Sequence, residues 1–344
     1  MPAPITNLTL ALKESWARKS AQHARNGATR LLNSGASGTP RLVFELYGKH
    51  GILFDYGHDN PSPSAPLTVL PKEGDPSRKN AVRRMAGEWL QTFGWESLSM
   101  LDRASAGDEG RSGNHALAGA PPEELVIEEE GLKVRLEPRH PRNVGLFLDT
   151  RVLRRELRDT AQDATVLNLF CYTGSLGLAA LFGREGTGAA QVTQVDISAR
   201  YLNWARANTR LNGLPEDRCK FVKMDSERYL DWAHKKGLRF DRIILDPPVF
   251  SRFDGKVFRW ADDYFRLAAK CAALLSPGGT LYAVTNYAGI GPAEFAASLA
   301  ATFRDAGLNA APPRRIGLPE DYDLPADAAD LPEGNAILMA LRRD

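Results

Sequence analysis

The sequence contains little cysteine: three residues among 344, at Cys171, Cys219 and Cys271. Three widely spaced thiols cannot build the disulfide framework of a small secreted domain, and no two of them form a C-x-x-C pair that could hold a metal. We therefore expect no metal site, and a protein that works in the reducing environment of the cytoplasm.

Long hydrophobic runs are also missing. No apolar segment approaches the roughly 18–20 residues that a membrane-spanning helix needs. The N-terminal sequence MPAPITNLTLALKESWARKS has no charged stretch followed by an apolar core, so we predict neither a membrane partner nor a secretory signal. With 43% hydrophobic and 25% charged residues, the composition is that of an ordinary globular protein.

Net charge is low, +2 overall, but the bases gather in separate segments. Residues 71–84 hold five bases against two acids, and 139–158 hold six arginines, whereas 319–333 hold six acids and no base. Basic segments of this kind could follow a polyanion such as RNA, or they could be solvated surfaces, and charge alone leaves both interpretations open.

The first 143 residues predict a small α+β domain. Residues 8–32 have the spacing of an amphipathic helix, and the run RLVFELYGKHGILFDYG predicts two strands joined near Gly48. A polar, glycine-rich stretch over 104–120 predicts a loop, and a second hairpin is predicted to turn near Gly131. We assign residues 1–143 to this domain and treat it as a candidate RNA-binding region.

From residue 144 onward the pattern changes to alternating strands and helices. The segments VLNLF, AAQVTQVDI, CKFVKMD, FDRIILDPP and GTLYAVTN predict five strands, and helices between them are typical of a mostly parallel sheet covered on both faces. PPRRIGLP and NAILMALRR predict a closing hairpin that would add an antiparallel strand at the sheet edge. We therefore predict an α/β domain over 144–344.

A glycine turn follows the first of these strands, in VLNLFCYTGSLGLAAL at 166–181. A strand, a glycine turn and a helix entry commonly present backbone N–H groups to a small ligand. A dinucleotide site needs G-x-G-x-x-G, whereas Tyr172 stands two residues before Gly174 and only G-x-x-G, through Gly177, remains. The turn therefore favours a ligand without a pyrophosphate.

Acidic residues follow the second, third and fourth strands. Asp196 lies about 20 residues after the glycine turn, as expected of an acid that accepts hydrogen bonds from ribose hydroxyls, and Asp225 is placed to accept from an adenine amino group. Asp246 opens an Asp-Pro-Pro run. Asp196 and Asp225 could instead cap the helices that follow them. Taken together with the glycine turn, the acids favour S-adenosylmethionine as the ligand.

The region 144–344 resembles a class I S-adenosylmethionine-dependent methyltransferase. Within that class it is similar to the bacterial 23S ribosomal RNA large-subunit methyltransferases that make 5-methylcytosine or N7-methylguanine. The resemblance is carried by NVGLFLDTRVLRREL, NLFCYTGS, VDIS and LDPPVFS, and RLLNSGASGTPRLVFELYGKHGILF resembles the small domain that precedes the catalytic domain. It covers roughly residues 30–344. At its start the sequence departs from some members, because it has no room for their extra RNA-binding barrel.

The resemblance implies a Rossmann-like fold with a seven-stranded, mostly parallel sheet, and S-adenosylmethionine as cofactor. It also implies which residues form the site. The expected catalytic residues are Asp246, Pro247, Pro248 and Phe250. The expected cofactor-binding residues are Phe147, Asp149, Arg151, Asn168, Phe170, Cys171, Tyr172, Thr173, Gly174, Ser175, Asp196, Ile197, Ser198, Asp225, Ser226 and Asp246.

Carbon and nitrogen acceptors differ in what they require of such a site. Cytosine C5 is a poor nucleophile, and the resembling 5-methylcytosine enzymes first add a cysteine thiolate to the ring, from a Ser-Cys-Ser-Gly string after the fifth strand. Here the matching string is Asn286-Tyr287-Ala288-Gly289, with Tyr287 at the position of the nucleophile. Cys271 lies in an apolar helix, where packing explains it. We therefore favour a ring-nitrogen acceptor, as in N7 of guanine, over 5-methylcytosine.

The Asp246-Pro247-Pro248 run could hold the acceptor base. Because two prolines make this segment rigid, it could fix a planar base edge while Asp246 and a proline carbonyl accept from an exocyclic amine. Phe250 could stack on the base, as aromatic side chains do with unpaired nucleotides, or it could belong to the core.

The most direct hypothesis is methyl transfer to a base of ribosomal RNA. It makes RNA the partner, 23S rRNA or its precursor, and allows for a homodimer. Arg151, Arg154 and Arg155 would then line the RNA entrance, although ion pairs on a helix surface would also explain them. The alternatives are a methyltransferase with a protein or small-molecule acceptor, and a non-catalytic RNA-binding assembly factor. The intact cofactor motifs argue against the last.

Overall fold

The computed structural model describes residues 4–33, 42–56, 76–102, 114–253, 255–324 and 336–344. These residues divide into two compact units. The first unit contains the described residues up to Leu148 together with 320–324, and the second contains 149–319 and 336–344. The division therefore falls after Leu148 rather than after residue 143, and 320–324 belong to the first unit although they follow most of the second in sequence.

The first unit is built on a five-stranded sheet with two helices packed against it. The helices are α1 (Pro4–Asn26) and α2 (Pro76–Phe93), and the strands are β1 (Ala28–Leu32), β2 (Leu42–Tyr47), β3 (His50–Asp55), β4 (Ser97–Asp102) and β5 (Asn114–Gly119). They lie in that order, with β3 and β4 parallel and the other pairs antiparallel. A separate antiparallel hairpin joins β6 (Leu125–Glu129) to β7 (Leu132–Leu136).

Helix α1 is shorter at its C-terminus than its apolar spacing predicts. Leu8 and Leu12 pack into the core beside Trp89, as the spacing requires. The helix predicted over 8–32 nevertheless ends at Asn26, because Gly27 adopts a φ of +63°, and a Cβ there would lie 2.9 Å from the carbonyl oxygen of Glu128. The residues that follow, 28–32, form β1 instead, with all five side chains buried.

The second unit contains a sheet of seven described strands with helices on both faces. The first elements are α3 (Arg151–Thr160), β8 (Thr165–Leu169), α4 (Ser175–Phe182), β9 (Gln191–Asp196), α5 (Ala199–Leu211), β10 (Cys219–Lys223), α6 (Ser226–Lys235) and β11 (Phe240–Leu245). After a short hairpin of β12 (Phe250–Phe253) and β13 (Lys256–Arg259) come α7 (Trp260–Leu274), β14 (Leu275–Thr285), α8 (Pro292–Asp305), β15 (Arg314–Ile316) and β16 (Ile337–Arg342).

The order across this sheet is β10-β9-β8-β11-β14-β16-β15. The first five strands in that order are parallel to their neighbours, and β16 and β15 are antiparallel, which confirms the predicted α/β fold and its closing edge. One apolar cluster packs on each face, the first around Leu267 and Phe295 and the second around Leu153 and Leu181. No helix in the described ranges is long and apolar enough to span a membrane.

The chain changes direction across the sheet between β8 and β11. Strands β9 and β10 lie on one side of β8, and β11 and β14 lie on the other. In such sheets a crevice opens at the carboxyl ends of the strands where the order reverses, and ligands bind there. The fold therefore places the candidate site at the carboxyl ends of β8, β9, β10 and β11.

Candidate functional site

Four acidic residues lie at this edge of the second unit. Asp196 is the last residue of β9, and Asp225 and Asp246 follow β10 and β11. Asp149, just before α3, lies near enough to Asp246 for its charge to raise the pKa of that residue. Because the carboxyl ends of parallel strands meet at one edge, these residues give that edge a concentration of negative charge.

The glycine turn has an unusual backbone. Phe170, Tyr172 and Gly174 have φ angles of +54°, +51° and +78°, a region that side-chain-bearing residues rarely adopt. Hydrogen bonds from Cys171 N to the carbonyl of Val195 (3.0 Å) and from Tyr172 N to Asp196 Oδ2 (3.0 Å) hold this conformation against the end of β9. Strained backbone that is fixed from several sides is typical of ligand sites.

The same hydrogen bonds decide what the turn can bind. The N–H groups of Cys171 and Tyr172 are engaged with β9, and Gly174 N donates to the carbonyl of Cys171 at 2.8 Å. A pyrophosphate would need a row of such amides directed outward. With three of them bonded internally, the turn suits a ligand that carries no phosphate.

Gln194, which the sequence analysis did not single out, explains the glycine spacing. Its side chain accepts from Asn168 Nδ2 (2.8 Å) and donates to the carbonyl of Gly174 (3.1 Å). A Cβ at Gly177 would lie 2.5 Å from Gln194 Nε2, and one at Gly174 would lie 2.7 Å from Ala205 Cβ. Because Gly174 and Gly177 have no side chain, Gln194 and Ala205 can pack directly against the turn. Asn168, in β8, holds the Gln194 side chain in place. A glutamine inside the apolar strand QVTQVD was the available signal.

Asp196 does not cap the helix that follows it. Ser198 is the N-cap of α5, whereas Asp196 accepts from Tyr172 N through Oδ2 and from Ser198 N through Oδ1, the latter at 2.8 Å. Burial raises the pKa of Asp196, and these backbone hydrogen bonds, with one from Ile197, oppose that rise. The capping alternative is therefore wrong for Asp196, whose carboxylate is held rigidly at the end of β9.

Asp225 does cap its helix. It is the N-cap of α6, and its Oδ1 accepts from Arg228 N at 3.0 Å. The cap uses one carboxylate oxygen, so Oδ2 stays available to a second donor. Ser226, the first residue of α6, is buried. Capping and ligand binding are compatible at this position.

Asp246 is the most perturbed acid of the site. Burial, with a smaller contribution from the charge of Asp149, raises its pKa to about 7. Beneath it lies Tyr264, whose hydroxyl donates to the carbonyl of Val284 (3.2 Å) and whose own pKa is raised by burial and then by Asp246. A carboxyl that titrates near neutrality at the end of a parallel strand is a candidate for direct contact with a reacting molecule.

The residues after Asp246 form an exposed loop with a fixed end. Pro247 is buried and Pro248 exposed, and the carbonyl of Val249 accepts from Trp260 N at 2.9 Å, which ties the loop to the start of α7. Phe250 is 49% exposed. Phe250 therefore does not belong to the core, and its ring is accessible to a ligand.

Comparison with known proteins identifies the family. A family model described as S-adenosylmethionine-dependent methyltransferase matches residues 64–326. This chain belongs to the S-adenosylmethionine-dependent methyltransferase family. The resemblance drawn from the sequence motifs is confirmed, and S-adenosylmethionine is confirmed as the cofactor.

Several relatives carry names that specify ribosomal RNA. The chain is 32% identical over 313 residues to ribosomal RNA large subunit methyltransferase I of Pseudoalteromonas atlantica, which covers 90% of this chain and 73% of the relative. It is 38% identical over 166 residues to ribosomal RNA large subunit methyltransferase K of Neisseria meningitidis serogroup B, over 48% of this chain and 46% of the relative. Of the other curated relatives, this chain spans between 21% and 64% of the length.

Solved structures share the fold. The crystal structure of SMU.776 complexed with SAH has a TM-score of 0.80 to this chain at 23% identity, covering 98% of this chain and 81% of the other. At that level of identity the likeness establishes the fold alone. It confirms the Rossmann-like sheet and the small domain that precedes it.

The residues at the strand edge fit the cofactor of this methyltransferase family. Asp196 and Asp225 offer carboxylate oxygens, as the hydroxyls of a ribose and the amine of an adenine require. The glycine turn has its amides engaged, which suits a cofactor without phosphate. Asp149 and Asp246 add negative charge, which attracts a sulfonium cation. The donor and acceptor groups present therefore match S-adenosylmethionine.

The other expected cofactor residues divide between the two units. Phe147 belongs to the first unit and is 42% exposed. Thr173 is buried, and its carbonyl accepts from Asn208 Nδ2 at 3.1 Å, while Ser175 begins α4. Ile197 contributes its backbone N–H to Asp196.

All three cysteines of this methyltransferase are buried and in the thiol form. Burial is the main cause of a raised thiol pKa at each. The charge of Asp196 raises the pKa of Cys171 further, and the pKa of Cys219 rises to about 12. Cys271 lies fully buried in α7. Tyr287 stacks on Trp260, with ring centroids 4.6 Å apart. Burial therefore disfavours the thiolate form of all three cysteines.

The arginines of α3 do not line an open entrance. Arg151 and Arg154 are fully buried, and Arg154 Nη1 donates to Thr150 Oγ1 at 2.8 Å. Only Arg155 of the three is partly exposed. The hypothesis that all three line an RNA entrance is wrong for Arg151 and Arg154, because both side chains are buried.

A cavity of about 310 Å³ lies elsewhere in the second unit. It is lined by residues at the amino ends of the strands, including Thr165, Gln191, Lys220 and Phe240, and by Trp232 of α6. Asp196, Asp225 and Asp246 lie at the opposite, carboxyl ends of these strands, so this cavity is separate from the candidate site.

Proposed function

We propose that this chain transfers a methyl group from S-adenosylmethionine to a base of large-subunit ribosomal RNA, 23S rRNA or its precursor, and that the acceptor is a ring nitrogen such as N7 of guanine. The observation that carries the proposal is Asp246, a carboxyl with a pKa near 7 directly before two prolines, in a site without an accessible thiol. The names of the relatives support the RNA substrate.

The cofactor would be held by the strand edge. Asp196 would accept from the ribose hydroxyls and Asp225, through Oδ2, from the adenine amine, while residues 170–175 and the neighbours Ser198 and Ser226 would close around the rest. Phe147, Asp149 and Arg151 would contribute from the segment before β8. The bound cofactor supplies a methyl group already activated by a sulfonium, so the chain contributes positioning and a pocket of suitable charge.

Asp246 would position the acceptor base. N7 of guanine has a lone pair and no proton to lose, so it needs neither a covalent adduct nor a strong base. The ionised form of Asp246 accepts from an exocyclic amine, while Pro247 and Pro248 keep that carboxylate and a neighbouring carbonyl in fixed geometry. The exposed ring of Phe250 would stack on the base.

A carbon acceptor is disfavoured by the same site. Methylation at C5 of cytosine requires a thiolate that adds to the ring. Cys271 is enclosed by α7 and Cys171 lies beside the carboxylate of Asp196, and both surroundings disfavour the thiolate. Tyr287 stands at the position of the nucleophile of the 5-methylcytosine enzymes, and its ring is stacked on Trp260.

Transfer of labelled methyl groups tests this function. Purified protein and labelled S-adenosylmethionine are incubated with total RNA from a strain lacking the gene, with an RNase-treated sample as control. We expect label in large-subunit rRNA and recovery of 7-methylguanosine by nucleoside mass spectrometry. Recovery of 5-methylcytidine would overturn the nitrogen acceptor, and label confined to protein or small molecules would overturn the RNA substrate. Calorimetry with S-adenosylmethionine tests whether the chain is a non-catalytic RNA binder, which would show no binding of the cofactor.

A further inference from the structure

The hairpin of β12 and β13 has two different faces. Its register pairs Phe250 with Arg259 and Arg252 with Val257. Directly opposed residues, and residues two apart on one strand, point to the same side of a hairpin. These four residues therefore share one face, which we call the outer face.

The outer face is exposed and alternates apolar with cationic side chains. Phe250 is 49% and Val257 40% exposed, and both arginines are exposed as well. The guanidinium of Arg252 lies 5.4 Å from the ring centroid of Phe250. Within the described residues, neither arginine has an ion pair with an acid, so both guanidiniums remain available to an external anion.

The inner face fixes the hairpin to the cofactor turn. Phe258, on that face, packs against Phe170 of the glycine turn with ring centroids 5.9 Å apart. The carbonyl of Val249 is held by Trp260 N at the base of the hairpin. The outer face is thus presented by a supported element that begins four residues after Asp246 in sequence.

We propose that the outer face, Phe250, Arg252, Val257 and Arg259, binds single-stranded RNA next to the acceptor base. This inference concerns the same site and rests on the proposed function. Arg252 and Arg259 contact the phosphates on either side of the acceptor nucleotide, Phe250 stacks on the acceptor base, and Val257 supports the adjoining sugar. An exposed aromatic ring between guanidiniums suits unpaired RNA, because the ring stacks on a base while the cations neutralise phosphates.

The charge of the face favours RNA over a protein partner. Its four residues include two cations and no acid, and a surface of one sign complements the phosphate backbone of RNA. A duplex would hide its bases from Phe250, so the acceptor segment is expected to be unpaired.

The double variant Arg252→Gln, Arg259→Gln tests the proposal. On unmodified large-subunit rRNA we expect KM to rise roughly tenfold at moderate salt, with kcat at saturation and the Kd for S-adenosylmethionine within twofold of the original. The slope of log KM against log salt should fall by about 1.4, because two phosphate contacts to a single strand are lost. The matched control, Arg239→Gln, Arg304→Gln, removes two exposed arginines elsewhere in the second unit and should change none of these values.

Binding without turnover separates this proposal from the proposed function. Fluorescence anisotropy with a labelled 12-nucleotide single-stranded RNA should show weaker binding by the double variant than by the control, and a duplex of the same sequence should bind more weakly to both. Equal binding by the two variants would overturn the proposal and leave methylation of RNA standing. A wild-type protein that binds the strand but methylates no RNA would overturn the proposed function instead. Unchanged melting temperatures confirm that both variants are folded.

Discussion

The two units surround a weakly exposed carboxylate in opposite ways: Glu45 is buried in the first and Asp246 is partly buried in the second. In the first unit, Glu45 lies between Arg30 Nη2 and the hydroxyl of Tyr47, both 2.6 Å away. In the second unit, Asp246 has the like charge of Asp149 as its charged neighbour, and its pKa is raised to about 7. The first arrangement is neutralised by the chain itself, whereas in the part of the chain that the structure describes no cation pairs with Asp246.

Two further buried charges of the first unit, Lys19 and Asp321, are also met by groups of the chain. Asp321 accepts from Arg30 N at 2.8 Å, and Lys19 Nζ contacts Asp323 Oδ2 at 2.6 Å and the carbonyl of Asp321 at 2.7 Å. Burial nevertheless lowers the pKa of Lys19. The difference between the units shows that burial alone does not identify a functional acid. The charge of the neighbouring groups distinguishes the two cases.

Breaking the buried pair of the first unit should give the largest effect. Arg30→Met leaves Glu45 as an uncompensated buried charge, so we expect a loss of about 3–5 kcal/mol in the stability of that unit. Hydrogen exchange of the β1 and β2 amides measures this locally. Arg18→Met, which removes an exposed pair with Asp323, is the control and should change stability by less than about 1 kcal/mol. Similar losses in the two variants would contradict the distinction.

Removing the unpaired acid of the second unit should affect catalysis instead. Asp246→Ala should lower the rate of single-turnover methyl transfer by roughly 10²–10³-fold, because the acceptor base loses the group that positions it. The Kd for S-adenosylmethionine should rise by no more than about threefold, because Asp149 keeps a negative charge beside the sulfonium and Asp196 and Asp225 keep their contacts with the cofactor. Asp262→Ala, at an exposed acid of α7, should change neither value. A normal rate in Asp246→Ala would exclude the positioning role.

Replacing the acid by its neutral amide should change the stability of the protein with opposite sign in the two units. The pKa of Asp246 rises from 3.8 to about 7 on folding, so the folded state binds the proton more tightly, and this contribution to stability is complete below pH 3.8 and lost as pH rises through 7. Asp246→Asn should therefore stabilise the protein at pH 8 by roughly 2–4 kcal/mol, less so toward pH 4. Glu45→Gln should destabilise it at pH 8. Denaturant titrations at both pH values give the comparison, which fails if both variants shift in the same direction.

The smallest effect is expected at a buried group without charge. Cys271→Ala should leave methyl transfer within about twofold, because its thiol lies inside α7 with a pKa raised by burial. A folded Cys271→Ala protein without activity would revive a covalent cytosine mechanism.

Much of the second unit was predictable because its signals are local. Each of the five parallel strands carries Val, Leu, Ile or Phe and alternates with a helical segment along the chain, and this alternation is visible in the sequence. Strands β5 and β12 were not predicted, since NHALAG has little strand preference and FSRF is too short to show a pattern, and both depend on their cross-strand partners.

The site was predictable in outline and not in its supports. The glycine turn and Asp196, Asp225 and Asp246 are marked by spacing after strands. Gln194 could not be recognised, because its role depends on side chains from β8 and from the turn. The buried state of Arg154 was likewise hidden, since arginine is usually exposed and its burial depends on packing that spacing does not encode.

The segment 320–324 gives the first unit a dependence on the order of synthesis. The backbone N–H of Arg30 donates to Asp321 across 291 residues, and Lys19 Nζ donates to the carbonyl of the same residue across 302. During translation, the first unit therefore gains these two contacts only when nearly the whole chain has been made. A fragment cut at residue 148 would keep the pair of Arg30 and Glu45 but would leave the Arg30 amide without Asp321 and Lys19 without two of its acceptors, so we expect it to be less stable than the intact first unit.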